Sequence, residues 1–204
     1  MSIRGLVLAG GKSSRFGEDK ALAIYDGLSF LERAVSLLER LGLKPIVVTR
    51  RGANYPLTGH TVIYDKLPEK GPIGGLYTAM TVFKKNSFLV LPCDMPVLTL
   101  EVLSGLLAVH EPRFGATVYS SGQEGIQPFP GIYEPSVLKA IRDKLKGDDL
   151  SMAGFFKQVA SKKTVDWEGD PNVFCNINTA AELKACAKNY RNFSNEFGDF
   201  RVSG

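Results

Sequence analysis

The chain has few of the residues that usually mark chemistry or compartment. Among its 204 residues are three cysteines and two histidines. Cys93, Cys175 and Cys186 are odd in number, far apart and without C-x-x-C or His/Cys spacing, which excludes a disulfide framework and a structural zinc site. His60 falls in a polar turn and His110 at the end of a helix-like segment, where a structural or solvated role is the default, so no catalytic histidine stands out. No apolar run is long enough to span a bilayer, and Met1-Ser2-Ile3-Arg4 leads into a strand-like run rather than a cleavable signal. A cytoplasmic protein without a membrane partner is expected. Internal repeats and low-complexity blocks are absent. An excess of one charge is missing too: 25 basic and 21 acidic residues leave +4, spread along the chain. That balance suits small phosphorylated ligands and lacks the basic stripe of a nucleic-acid binder.

What is present is apolar content, 44% of residues, sufficient to bury one domain-sized core. One domain over residues 1–191 is expected, with 192–204 a frayed tail without periodicity. Gly5 to Ala9 reads as a strand buried on both faces and stopped by Gly10-Gly11. Ser29-Phe30-Leu31-Glu32 has capping-box spacing, and Leu31, Val35, Leu38 and Leu41 then recur at helical intervals up to Gly42. Pro45 to Thr49, Thr61 to Tyr64 and Phe88 to Pro92 read as strands, and Ile73 to Phe83 and Leu100 to His110 as helices. Beyond Gly115 the spacing predicts strands at 116–119, 128–133, 164–167 and 173–175, helices near 137–145 and 152–159, and a last helix from Thr179 to about Tyr190. Alternating strands and helices imply βαβ units, hence a three-layer α/β/α, Rossmann-like domain with a mostly parallel sheet whose later strands are mixed. Ligands in such sheets bind beyond the carboxyl ends of the strands.

At that edge the first strand runs into Gly10-Gly11-Lys12-Ser13-Ser14-Arg15. Backbone N–H groups and cations at a strand end attract phosphate, and Lys12, Arg15 and Lys20 can neutralise a triphosphate and the charge on departing pyrophosphate. The bland alternative is a βα turn with solvated cations. A P-loop is excluded, since G-x-x-x-x-G-K-[ST] needs glycine where Leu6 stands, and G-x-G-x-x-G is unmatched around Gly10. Asp94, after the strand ending at Pro92, emerges at the same edge. A lone carboxylate there suits Mg²⁺, which takes one or two carboxylates together with substrate phosphates. Cys93 reads as a small buried residue. A phosphate-monoester nucleophile has its second pKa at about 6 and needs no general base, so the scarcity of histidine is no obstacle to phosphoryl chemistry.

The string from Leu8 to Lys20 resembles the L-A-G-G-x-x-x-R-[FM]-G-x-x-K signature of the nucleotidyltransferases. With Val62 to Asp65, Gly71-Pro72-Ile73-Gly74-Gly75-Leu76, Pro92 to Pro96, Gln127-Pro128 and Asn176-Ile177-Asn178-Thr179, the chain from Ile3 to about Lys188 resembles the molybdenum cofactor guanylyltransferases of the MobA type. The resemblance implies that the phosphate of Mo-molybdopterin attacks the α-phosphate of GTP and releases pyrophosphate, with Mg²⁺ as cofactor. It implies an NTP-binding half to about residue 110 and an acceptor half over 111–191. By position, Leu8, Ala9, Gly10, Gly11, Lys12, Lys20, Asp65, Gly74 and Asp94 are implied GTP contacts, and Asp94 the metal ligand. Lys20, Arg15 and Asp94 are the implied catalytic set. Gln127, Asn176 and Asn178 are implied on the molybdopterin side, and molybdoenzyme chaperones or other cofactor-biosynthesis proteins are implied partners. A second reading makes Asn176 to Thr179 simply the cap of the last helix. The chain departs from relatives in Thr49-Arg50-Arg51, where an Asn is frequent, in Asp148-Asp149-Leu150-Ser151, where a basic stretch is common, and in Ala180, where Pro is usual. The same fold and chemistry also serve CTP with molybdopterin, or a sugar-phosphate or phospholactate acceptor. A non-catalytic nucleotide binder would have little need of both Lys20 and Asp94.

Overall fold

Adjacent residues of the apolar runs are both fully enclosed: Leu6 and Val7 are 0% exposed, as are Leu89 and Val90. Because neighbouring side chains in a strand point to opposite faces, such runs must be covered on both sides. The computed structural model, which describes residues 2–10, 19–122, 125–179 and 181–185, shows how. In chain order the elements are β1 (Ile3–Leu8), β2 (Ile24–Tyr25), β3 (Leu28–Ser29), α1 (Phe30–Arg40), β4 (Pro45–Thr49), β5 (Thr61–Tyr64), α2 (Gly71–Val82), β6 (Ser87–Pro92), α3 (Leu100–Val109), β7 (Ala116–Ser121), β8 (Gly125–Tyr133), α4 (Leu138–Lys144), α5 (Met152–Gln158) and β9 (Lys162–Asp166). Seven strands form one sheet in the order β5-β4-β1-β6-β8-β7-β9. The pairs β5/β4, β4/β1, β1/β6 and β7/β9 are parallel, whereas β8 is antiparallel to both its neighbours. The sheet is therefore mostly parallel and becomes mixed in its second half, as the irregular spacing after Gly115 anticipates. No helix among the described residues is long and apolar enough to cross a membrane.

The sequence signals behave as local physics requires at α1. The Ser29 hydroxyl accepts from the Glu32 N–H at 3.2 Å, and Glu32 Oε2 accepts from the Ser29 N–H at 2.8 Å, completing the capping box. The Ser29 hydrogen bonds hold the Glu32 carboxyl below the usual carboxylate range. Leu31, Val35 and Leu38 face the core, and Gly42 at φ +71° ends the helix in a conformation that disfavours a side chain.

Three features differ from the pattern read in the sequence. The hairpin β2–β3 turns on Asp26-Gly27, both at positive φ, an Asp-Gly signal flanked by strands of only two residues each. Val173 to Cys175 is not a strand. Pro171–Phe174 forms a 3₁₀ turn capped by Asp170, whose carboxylate accepts from the Asn172 N–H at 2.9 Å, so turn chemistry overrides the apolar run. The stretch Asp148-Asp149-Leu150-Ser151 has a structural role: Asp149 Oδ2 pairs with the buried Lys144 Nζ at 2.5 Å, and Ser151 caps α5. That lysine holds the Asp149 carboxyl well below its ordinary range. Of the last expected helix, residues 181–185 are helical; 186–190 and the expected tail at 192–204 lie outside the described residues.

Replacing Ser29 with Ala leaves the first-turn N–H groups of α1 without their partner. Urea denaturation is expected to show a loss of about 1 kcal/mol in unfolding free energy.

Candidate active site

The parallel strands β4, β1 and β6 end on one edge, and their ladders continue past the strands. The Ala9 N–H donates to the Val48 carbonyl at 2.8 Å and the Cys93 N–H to the Leu8 carbonyl at 3.1 Å. Ala9-Gly10 and Cys93-Asp94 consequently leave the sheet side by side. They border a cleft of ≈ 460 Å³. Its β6 end is lined by Pro92, Cys93, Asp94 and Asn178, its middle by Leu8, Ala9, Gly10, Asp19, Lys20 and Ala21, and its β5 end by Asp65, Pro68, Glu69, Gly71, Pro72 and Gly75.

Lys20 opens a 3₁₀ turn, Lys20–Leu22, capped by Asp19, whose Oδ1 accepts from the Ala21 N–H at 3.2 Å. The Lys20 ammonium donates to Asp94 Oδ2 at 2.7 Å and to Asn178 Oδ1 at 2.7 Å. Both members of the Lys20–Asp94 pair are largely enclosed, at 14% and 25% side-chain exposure. The other oxygen, Asp94 Oδ1, is buried and has no hydrogen-bond partner among the described residues. A hard divalent ion bound by one carboxylate fits an oxygen in that position. Asp94 is also fixed through its backbone, since its carbonyl accepts from the Ile177 N–H at 2.9 Å.

Asp65 is tied down at the opposite end. Its N–H continues the β4–β5 ladder by donating to the Thr49 carbonyl at 2.7 Å, and its Oδ1 accepts from the Leu67 N–H and the Thr78 hydroxyl, each at 2.8 Å. Gly74 lies behind this turn: a Cβ there would meet the Leu67 carbonyl oxygen at 2.4 Å and Asp65 Oδ2 at 3.4 Å. Gly74 does not line the cleft, whereas Gly75, whose Cβ would meet Leu8 Cδ2 at 2.9 Å, does. Burial, followed by the neighbouring Asp94 carboxylate, pushes the Cys93 thiol up to about 12, so it is a packed, uncharged group and not a nucleophile.

Of the residues singled out from the sequence, Leu8, Ala9, Gly10, Lys20, Asp65, Asp94 and Asn178 come together in this cleft. Gly11, Lys12 and Arg15 lie outside the described residues. Gln127 sits on β8 opposite Tyr119 and Asn176 is exposed, and neither lines the cleft. The cap reading of Asn176 to Thr179 holds at Thr179. Thr179 Oγ1 accepts from the Glu182 N–H at 3.1 Å at the start of the last helix, while the Asn178 side chain turns to Lys20. Sequence reading missed the roles of Asp19, Glu69, Arg50 and Tyr55. Asp19 stood beside Lys20 in the glycine-rich string; Tyr55, in an irregular connection, carried no local signal.

A glycine-rich strand end beside a Lys–Asp pair, on the carboxyl edge of a mainly parallel sheet, defines a nucleotidyltransferase-type site. The chain belongs to the MobA-like NTP transferase domain family, which residues 5–162 match. It is 34% identical over 187 residues to a protein of Geobacillus sp. named a probable molybdenum cofactor guanylyltransferase, covering 88% of this chain and 95% of that one. It is 31% identical over 190 residues to the molybdenum cofactor guanylyltransferase of Polynucleobacter asymbioticus, covering 90% and 94%. The molybdopterin-guanine dinucleotide biosynthesis protein A of Archaeoglobus fulgidus shares the fold with a TM-score of 0.73 at 19% identity, over 93% of this chain and 99% of that one.

Replacing Gly74 with Ala drives a methyl group into the Leu67 carbonyl, a backbone atom with little room to yield. Thermal or urea denaturation is expected to show a destabilisation of roughly 1–3 kcal/mol.

Proposed function

We propose that this protein transfers GMP from GTP to the phosphate of Mo-molybdopterin. The observation that carries the reading is the Lys20–Asp94–Asn178 cluster, with its partnerless Asp94 oxygen, at one end of a cleft in a MobA-like transferase. The naming of the relatives in Geobacillus and Polynucleobacter agrees with it.

The dimensions suit a nucleoside triphosphate. From β6 across β1 and β4 to β5 is three interstrand steps, about 14 Å. Phosphates at Lys20 and Asp94 leave the base at the β5 end, beside Asp65 and Glu69. Guanine presents adjacent N1–H and N2–H donors, and carboxylates are acceptors. Gly71 and Gly75 let backbone approach the nucleoside closely.

In the proposed reaction an oxygen of the acceptor phosphate forms a bond to the α-phosphorus of GTP, and the bond from that phosphorus to the β-phosphate bridging oxygen breaks, expelling pyrophosphate. The acceptor monoester, with a second pKa at about 6, arrives ionised, so no side chain need remove a proton. Lys20, aimed by Asp94 and Asn178, places a fixed positive charge where negative charge grows. Lys12 and Arg15 are proposed to add to that charge. Asp94 is the residue that would hold Mg²⁺, which supplies neutralisation of the phosphates and of the departing pyrophosphate.

Pyrophosphate release measured with Mg²⁺, Mo-molybdopterin and each NTP in turn is expected to occur with GTP. Release with CTP and not GTP overturns the guanylyl assignment. In the same assay Asp94→Ala is expected to lower turnover roughly a thousandfold while GTP binding stays measurable by titration; unchanged turnover refutes the metal assignment.

A further inference from the structure

Tyr55 stands behind the cleft and not in its lining, in the irregular connection between β4 and β5. Its body packs against the hydrophobic core, and its hydroxyl lies 3.1 Å from the Ala9 carbonyl oxygen and 3.1 Å from Asp19 Oδ2. These two acceptors flank the glycine-rich segment, one at the residue entering it and one at the residue leaving it. Both flanking residues line the cleft.

The Asp19 carboxylate is engaged through both oxygens. Oδ2 takes the Tyr55 hydroxyl and Arg50 Nη2, the latter also at 3.1 Å, while Oδ1 caps the turn that carries Lys20. Arg50 and Tyr55 therefore reach, through a single carboxylate, the turn that aims the Lys20 ammonium. A phenol has one proton for its two acceptors here, so it bridges them as a shared donor. Burial pushes the Tyr55 hydroxyl up to about 12, which keeps it a donor across the neutral range.

We propose that Tyr55 is a positioning residue for the nucleotide: its hydroxyl, supported by Arg50, clasps Ala9 and Asp19 and so sets the two ends of the phosphate-binding segment and the Lys20 turn relative to one another. The proposal rests on the NTP-transferase reading of the cleft and not on which base is used. Because Tyr55 acts on the mould that receives the triphosphate and touches no reacting atom, its loss weakens ground state and transition state alike.

The test is a double-mutant cycle of Tyr55→Phe and Asp19→Asn, read with whichever NTP the wild type turns over. Tyr55→Phe removes the hydroxyl and keeps the ring. It is expected to raise KM for the nucleotide about tenfold, the scale of a lost hydrogen bond to a charged group, with kcat within about twofold. In the Asp19→Asn background the same substitution is expected to change KM by no more than about twofold, because the shared partner is already altered. If Asp19→Asn turns over too slowly to assay, the cycle is read from nucleotide dissociation constants measured by titration. Unchanged KM in Tyr55→Phe, or an equal factor in both backgrounds, overturns the proposal. So does a fall in kcat and thermal midpoint with KM unaltered, the mark of a merely structural tyrosine. Failure of the guanylyl reading shows separately, as wild-type turnover with another NTP.

Discussion

The 2.7 Å contact between Lys20 Nζ and Asp94 Oδ2 joins side chains 74 residues apart at one edge of the sheet. Lys20 sits on a 3₁₀ turn of three residues, too short to define a direction without outside support. Asp94 follows a strand end and has one oxygen without a hydrogen-bond partner among the described residues. What holds them is the parallel register of β1 and β6, in which Leu8 lies opposite Pro92, together with the backbone bond from Cys93 to Leu8. A slip of one residue in that register would turn the carboxylate to the other face of the sheet. The enclosed runs of β1 and β6 resist such a slip, because it would exchange tightly packed core positions between the two faces of the slipped strand.

The partnerless Asp94 oxygen has an energetic meaning. A buried acceptor left unsatisfied costs about 1–3 kcal/mol, more when charged. A cation bound there, as proposed for this site, would offset that penalty. Sites of function are where local rules are broken and the loss is made up elsewhere. Here the compensation comes from the central strands and the helices covering them, where residue after residue is fully enclosed.

Much of this architecture can be read along the chain because it depends on periodicity and on short-range chemistry. Buried runs at 5–9, 45–49 and 88–91 become β1, β4 and β6, and the Ser29–Glu32 spacing becomes a capping box. Harder to read are features whose cause lies far off in sequence. Nothing local distinguishes Gly74 from Gly75; only the Leu67 carbonyl on one side and the Leu8 side chain on the other give one a packing role and the other a place in the cleft wall. Val173 to Cys175 has strand-like composition, yet Asp170-Pro171 starts a turn just before it and β9 already stands at the sheet edge. Tyr55 carries no signal at all, since its partners lie 46 and 36 residues away.

Asn178 shows how the second half of the chain completes the first. It lies 158 residues from Lys20 and delivers its side-chain oxygen to the same ammonium that Asp94 holds. Its own N–H donates to Glu182 Oε2 at 2.6 Å, so the backbone is anchored to the start of the following helix while the amide faces the cleft. The next contact upstream, from the Ile177 N–H to the Asp94 carbonyl, fixes the separation between this segment and the β6 turn. Lys20 thus rests against a carboxylate from the first half of the chain and an amide from the second. Any displacement of the 176–179 segment therefore also moves a hydrogen-bond partner of Lys20.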